Sequence, residues 1–277
     1  MGAWMHHVVW GGLTQTVCQL LYLVGPLFLL GLLLHRLESL VQGRLSRRFG
    51  WNSILWTGWL GTPVHELSHA AFCVAFRHRI VRMALFEPDP VSRRLGYVHH
   101  AFNPKSRFQV AGNFFIGTAP LAGGALALYG LLWLFDPDAA RQALSAGAHA
   151  PALAGGDLLA AARVVWDQTF GLISRVMNVE HLGSVPFWLF MYLVLCVGSH
   201  LAPSRADYRG TGKGGLIVLG TLLAFNVLFL ALGGGAGRVA GAMAAVLGPV
   251  LALFVLAAVL CGLATAAVCS LTVASSR

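Results

Sequence analysis

Six apolar runs, at residues 16–35, 52–77, 108–135, 184–203, 214–234 and 239–273, constrain this 277-residue chain more than any other feature. Each is close to or longer than the ~20 consecutive apolar residues that a helix needs to cross a bilayer core. A soluble domain keeps roughly a quarter of its residues charged. Here the share is 10%, against 57% hydrophobic, and the mean hydropathy is +0.72. Backbone polar groups cannot be left open to lipid, so the runs are expected as helices and not as open strands. The expected fold class is an all-α polytopic membrane protein, a bundle of about six transmembrane helices with a small membrane-associated β-hairpin, in one integral membrane domain over residues 1–277. The last run is long for one span and holds Gly248-Pro249, which predicts a kink or a break. The N-terminus lacks a basic segment followed by a small-residue cleavage site, so the first run is expected to stay as a membrane helix.

The segments between the runs differ in kind. Arg36–Arg48 is basic and amphipathic and reads as an interfacial helix. Arg79–Phe86 and Leu95–Phe102 favour strands and flank the turn signal Glu87-Pro88-Asp89-Pro90, which predicts a β-hairpin over 79–102. Residues 136–183 form the longest polar-leaning connection, extramembrane or interfacial. Apolar residues at helical spacing over Asp157–Met177 predict an amphipathic helix there.

A formal charge of +9 would suggest nucleic acid in a soluble protein. In a membrane chain it marks loops facing the cytoplasm and anionic headgroups, and no nucleic-acid partner is expected. Residues 78–107 are rich in Arg and Lys, residues 204–213 carry three bases against Asp207, and residues 136–183 hold more acids than bases. An alternating topology follows, with 78–107, 204–213 and both termini cytoplasmic and 136–183 outside. The Arg36–Arg48 stretch conflicts with it. The five cysteines all fall in apolar segments without a CxxC pair and read as small buried side chains, neither a disulfide framework nor a metal cluster.

One apolar run carries His65-Glu66-Leu67-Ser68-His69. On a helix, residues four apart leave the same face about one turn from each other. Two imidazole nitrogens at that spacing can meet one Zn²⁺ at about 2.0–2.1 Å. Glu66 projects roughly 100° round from His65, near enough to act as general base toward a metal-activated water without becoming a ligand. Ionisable groups inside an apolar span cost energy unless paired or coordinated, which makes them functional candidates; the structural alternative is a polar helix–helix contact through Glu66. Catalytic zinc needs a third protein ligand and an open position. The polar groups near apolar segments are His99, His100, Asn113, His200 and Asp207. His200 ends the fourth run and otherwise reads as an interfacial histidine. Asp207 otherwise reads as a helix cap or an ion pair with Arg205 or Arg209. His99 and His100 read as surface or interfacial side chains of the hairpin.

Gly61-Thr62-Pro63-Val64-His65-Glu66-Leu67-Ser68-His69-Ala70, followed by a β-prone stretch and then by a Pro-containing segment with Asp207 shortly before another run, resembles the site-2 protease family of intramembrane zinc metalloproteases. The resemblance covers residues 52–235 in layout, with specificity in the first motif. It implies His65, His69 and Asp207 as ligands of a zinc cofactor, Glu66 as catalytic base, and Asn113 as a donor to the oxyanion formed when water attacks a peptide carbonyl. The family follows its ligand Asp directly with Gly, whereas Tyr208 and Arg209 separate Asp207 from Gly210 here, so His200 stands as the alternative third ligand.

The implied function is zinc-dependent hydrolysis of peptide bonds in membrane-embedded substrates. The expected partners are a transmembrane protein substrate and the lipid bilayer. The expected location is the bacterial inner (plasma) membrane, with the active site toward the cytoplasmic leaflet. Two rivals are a membrane metallohydrolase acting on a lipid-linked amide or ester, and a non-catalytic zinc-binding scaffold or transporter.

Overall fold

The computed structural model describes residues 2–21, 25–145, 158–204, 206–234, 249–263 and 265–266. In chain order the elements are α1 (Gly2–Gln19), α2 (Gly25–Phe49), a 3-10 turn (Trp51–Ile54), α3 (Leu55–Ala75), β1 (Arg79–Ala84), β2 (Tyr97–Ala101), α4 (Arg107–Phe135), α5 (Pro137–Ser145), α6 (Leu158–Val176), α7 (Val179–Leu182), α8 (Val185–Gly198), α9 (Thr211–Ala231) and α10 (Pro249–Leu263). The protein is mostly helical with one two-stranded antiparallel sheet. Among the described residues, α4 and α9 are long and apolar enough to cross a membrane, while α8 and α10 are shorter apolar helices.

Local chemistry sets the element ends. The Ser106 hydroxyl accepts from Gln109 N–H at 3.3 Å to start α4, and the Ser184 hydroxyl does the same for Phe187 N–H at the start of α8. Helix α3 closes through Arg77, whose backbone is left-handed (φ 60°), with His78 N–H donating back to Cys73 O at 2.8 Å. That reversal sends the chain directly into β1. The strands pair from Arg79 opposite Ala101 to Ala84 opposite Tyr97, with an irregularity between Ile80 and Arg82. Asp89 shapes the connection, accepting from Val91 N–H at 2.9 Å and from the Ser92 hydroxyl at 2.5 Å. Those bonds hold its carboxyl below the usual carboxylate range.

Helices α3, α4 and α8 pack mutually, α9 lies against α4, and α1 lies against α9. One core joins Leu34 of α2, Leu128 and Leu132 of α4, Phe187 and Val194 of α8 and Phe254 and Ala257 of α10. The α3–α8 contact is also bonded: Trp59 Nε1 donates to the Tyr192 hydroxyl at 2.9 Å, which donates to Trp56 O at 2.5 Å. The outer surface is apolar, with Trp56, Trp59, Leu126, Leu134, Trp188 and Leu228 all exposed. Several polar side chains are inside, among them Gln15, Thr16, Gln19 and Asn226. Asn226, fully buried, donates to Thr16 Oγ1 and to Gln19 Oε1, each at 2.8 Å, where α9 crosses α1.

Several boundaries differ from the sequence expectation. The run 16–35 is divided between α1 and α2, with residues 22–24 outside the described residues. Arg36–Arg48 is not a helix of its own; it continues α2 to Phe49, and Glu38, Ser39, Gln42 and Ser46 on it line a protein cavity. The fourth run stops being helical at Gly198, before Pro203, and residues 199–204 turn toward α3. The 79–102 hairpin and the helix expected over Asp157–Met177 are present, the latter as α6. Of 239–273, α10 is described; the kink expected at Gly248-Pro249 involves a residue outside the described set.

Candidate metal centre

The face of α3 that carries Thr62, His65, Glu66 and His69 looks into a cavity of about 1020 Å³. These positions are related by three and four residues, so their side chains leave the helix on one side. His65 and His69 sit one turn apart, with ring centroids 4.8 Å and Nε2 atoms 3.1 Å from each other. Each ring is fixed through its other nitrogen: His65 Nδ1 donates to the carbonyl of His200, and His69 Nδ1 to that of Ile116, both at 2.7 Å. A proton on Nδ1 leaves the Nε2 lone pair free, the tautomer a metal-binding histidine uses.

Both acceptor carbonyls are released from helical duty. His200 follows the C-terminal end of α8, where carbonyls lack an i+4 partner. Ile116 is inside α4, but residue i+4 is Pro120, which has no N–H to offer it. The functional contribution of Pro120 is invisible to a search for polar side chains. Its available signal was a proline in the middle of an apolar run.

Asp207 completes the group. Its carboxylate lies 3.4 Å from His65 Nε2 through Oδ2 and 3.2 Å from His69 Nε2 through Oδ1. The loop is clamped by a reciprocal pair of bonds, Ser204 N–H to Asp207 Oδ2 at 2.5 Å and Asp207 N–H to Ser204 Oγ at 3.3 Å. The donor atoms of His65, His69 and Asp207 all lie within 4.8 Å of one another. Donors on a tetrahedron of radius 2.0–2.1 Å are spaced about 3.3–3.4 Å. The 3.1 Å between the two Nε2 atoms is close to that, and Asp207 turns one oxygen to each imidazole, Oδ2 at 3.4 Å from His65 and Oδ1 at 3.2 Å from His69, so two imidazole nitrogens and one carboxylate fit a zinc ion.

The ring of His200 is not part of this group. Its Nδ1 donates to Cys196 O at 3.1 Å, and its buried Nε2 has no hydrogen-bond partner among the described residues. His200 thus reaches the site through its backbone oxygen. Glu66 is buried beside the histidines, and Gly96 packs directly on it: a Cβ on Gly96 would come within 2.8 Å of Glu66 Cγ. Asn113 is half-buried on the α4 wall of the same cavity.

His99 and His100, expected as surface or interfacial side chains, both line the cavity, since β2 forms one of its walls; His99 is exposed and His100 half-buried. His100 Nδ1 pairs with His78 Nδ1 at 2.9 Å, and His78 Nε2 donates to Gln109 O at 2.8 Å. Burial and the neighbouring His78 push the His100 imidazole below its ordinary value. A further wall was not foreseen at all. His35, Glu38, Ser39, Gln42 and Ser46 form a polar stripe along α2 at three- and four-residue spacing, and all face the cavity.

No family model matches the chain, and neither does any curated protein or solved structure.

Proposed function

We propose that this chain is a zinc-dependent intramembrane endopeptidase of the site-2 protease type, built on a bundle of about six membrane-spanning helices. The observation that carries the reading is the convergence of His65 Nε2, His69 Nε2 and the Asp207 carboxylate within 4.8 Å, in a cavity that also holds Glu66, Asn113 and the β2 strand. The many exposed Trp and Leu side chains, with Asn226 and Gln19 buried, support a lipid setting. The basic loops 78–107 and 204–213 border the cavity, which supports an opening toward the cytoplasmic leaflet of a plasma membrane.

His65, His69 and Asp207 hold the zinc. When bound, zinc supplies a Lewis acid that polarises a peptide carbonyl and makes water a nucleophile near neutral pH. Glu66 takes one proton from the attacking water as oxygen adds to the carbonyl carbon, and gives it to the nitrogen when the C–N bond breaks. Asn113 donates from the α4 wall to the oxygen that gains negative charge. A helical substrate must unwind to expose its peptide bond. The free edge of β2 satisfies the backbone groups so released, by strand addition within the cavity.

The test uses purified protein in liposomes with a panel of single-span reporter proteins, cleavage being read by mass spectrometry. Glu66→Gln is expected to keep its zinc and lose cleavage by at least about 10²-fold. Full cleavage by that variant, or absence of zinc from the wild type, would refute the peptidase reading. A zinc-loaded wild type that cleaves a lipid-linked amide but no reporter would assign the site to a different hydrolase.

A further inference from the structure

Four arginines from three separate parts of the chain face into the cavity that holds the candidate metal: Arg47 in the last turn of α2, Arg93 and Arg94 in the hairpin loop, and Arg209 beyond Asp207. All four are exposed at its mouth, and among the described residues none of them forms an ion pair. The acids of the same cavity are committed elsewhere. Asp207 lies between the two histidines, Glu66 is buried against Gly96, and Glu38 is half-buried and accepts from Gln42 at 2.8 Å. With a dication bound, the chamber has a surplus of positive charge that its own side chains do not neutralise.

Two of these arginines are positioned with respect to β2. The Arg94 guanidinium lies 4.4 Å from the ring centroid of Tyr97, the first residue of β2, and Arg94 bridges Asp89 through the backbone. Arg93 has a left-handed backbone (φ 55°), a conformation that costs a non-glycine side chain about 1 kcal/mol. A guanidinium already stacked and held loses little freedom when it meets an anion. A segment paired along β2 leaves the strand past Gly96 and Leu95, directly beside this pair.

We infer that the site selects peptide segments whose flank next to the β2-paired stretch is acidic, with Arg93 and Arg94 as the specificity-determining residues and Arg47 and Arg209 extending the basic rim. This rests on the peptidase reading for its choice of a peptide over other anions. Headgroups of anionic lipids share the charge, but the arginines border the same chamber as the metal ligands and β2, where an extended peptide has backbone partners and a headgroup has none.

The test reads binding, so that it is separable from catalysis. Full-length Glu66→Gln protein in nanodiscs of zwitterionic lipid is titrated with two fluorescent peptides that share one apolar β-prone half. One is flanked by Asp and Glu, the other by Lys and Arg. The acidic peptide is expected to bind at least tenfold tighter at low salt, and the preference to shrink as ionic strength rises. The double variant Arg93→Gln/Arg94→Gln is expected to lose the preference. Arg77→Gln/Arg79→Gln, on basic residues outside the cavity, is expected to keep it. Unchanged melting temperatures confirm that the variants are folded. Equal binding of both peptides, or a preference that survives the Arg93/Arg94 double variant, overturns the inference. Lack of peptide preference together with Arg93/Arg94-dependent retention of anionic lipid would reassign the rim to headgroups. An acidic preference in a protein that cleaves no reporter would leave the inference standing and sink the peptidase reading instead.

Discussion

Nδ1 of His69 donates to the carbonyl oxygen of Ile116 at 2.7 Å, and that oxygen is available because the residue one turn further along α4 is Pro120. A proline inside an apolar helix thereby sets the tautomer of His69, a proposed metal ligand, on the neighbouring helix. Pro120→Ala restores a competing N–H at that turn. Weakening the partner of a ligating histidine costs about 10–100-fold in metal affinity. We expect zinc affinity to fall by about tenfold, measured by competition with a chelating dye, while the helical content of the protein stays the same.

The ligand set separates sharply by substitution. His65→Ala, His69→Ala and Asp207→Ala each remove a donor atom and are expected to weaken zinc binding by more than about 100-fold, beyond what loss of an outer partner costs. His200→Ala keeps the backbone oxygen that accepts from His65, so zinc measured by mass spectrometry is expected to remain stoichiometric. The reverse result, zinc lost with His200→Ala and kept with Asp207→Ala, would exchange the roles of these two residues.

What the sequence disclosed about this site was side-chain chemistry at fixed spacing. His65, Glu66 and His69 are legible because one helical turn dictates their relation, and the 79–102 hairpin because its strands and turn are local. Asp207 came from a family likeness, and its place beside the histidines depends on how α8 ends. Neither orienting carbonyl could be read, because a main-chain oxygen carries no residue identity. The α2 stripe from His35 to Ser46 was visible as amphipathic, but a polar face looks the same in sequence whether it meets headgroups or a cavity.

The junction of α1 and α9 is tied by side chains. Asn226 satisfies Thr16 and Gln19 in a fully buried position, so Asn226→Ala leaves both without their partner. In lipid such losses cost about 1–2 kcal/mol. For a chain of this size that corresponds to a melting temperature lower by roughly 2–8 °C, read by thermal denaturation in detergent. Gln19→Ala in the Asn226→Ala background is expected to add little, because the two residues serve one network.

In the last turn of α6, Arg175 reaches Asp136 with two bonds, Nε to Oδ2 at 2.7 Å and Nη2 to Oδ1 at 3.0 Å. They fasten the end of α6 to the start of α5, and the guanidinium holds the Asp136 carboxyl below the usual carboxylate range. A carboxyl depressed in the folded state contributes stability that is fully present above its unfolded value of about 3.9 and lost as pH falls through the lower folded one. Arg175→Gln is expected to melt about 1–4 °C below wild type at pH 6. That gap should close as the pH is taken below about 4. A gap that stays constant down to pH 2.5 would show that the pair contributes nothing through charge.

Gly117 on α4 lies so near the backbone oxygen of Asp207 that a Cβ there would collide with it and with Thr211. Gly61 on α3 has the same relation to Cys196 O and the His200 ring. The location of Asp207 is therefore written on the helices around it, as missing side chains, more than in the residues that follow it in the chain. In this chain a side chain at Gly117 would push the Asp207 backbone away from α4, and one at Gly61 would push the end of α8 away from α3, so two absent side chains hold open the space in which the three donors meet.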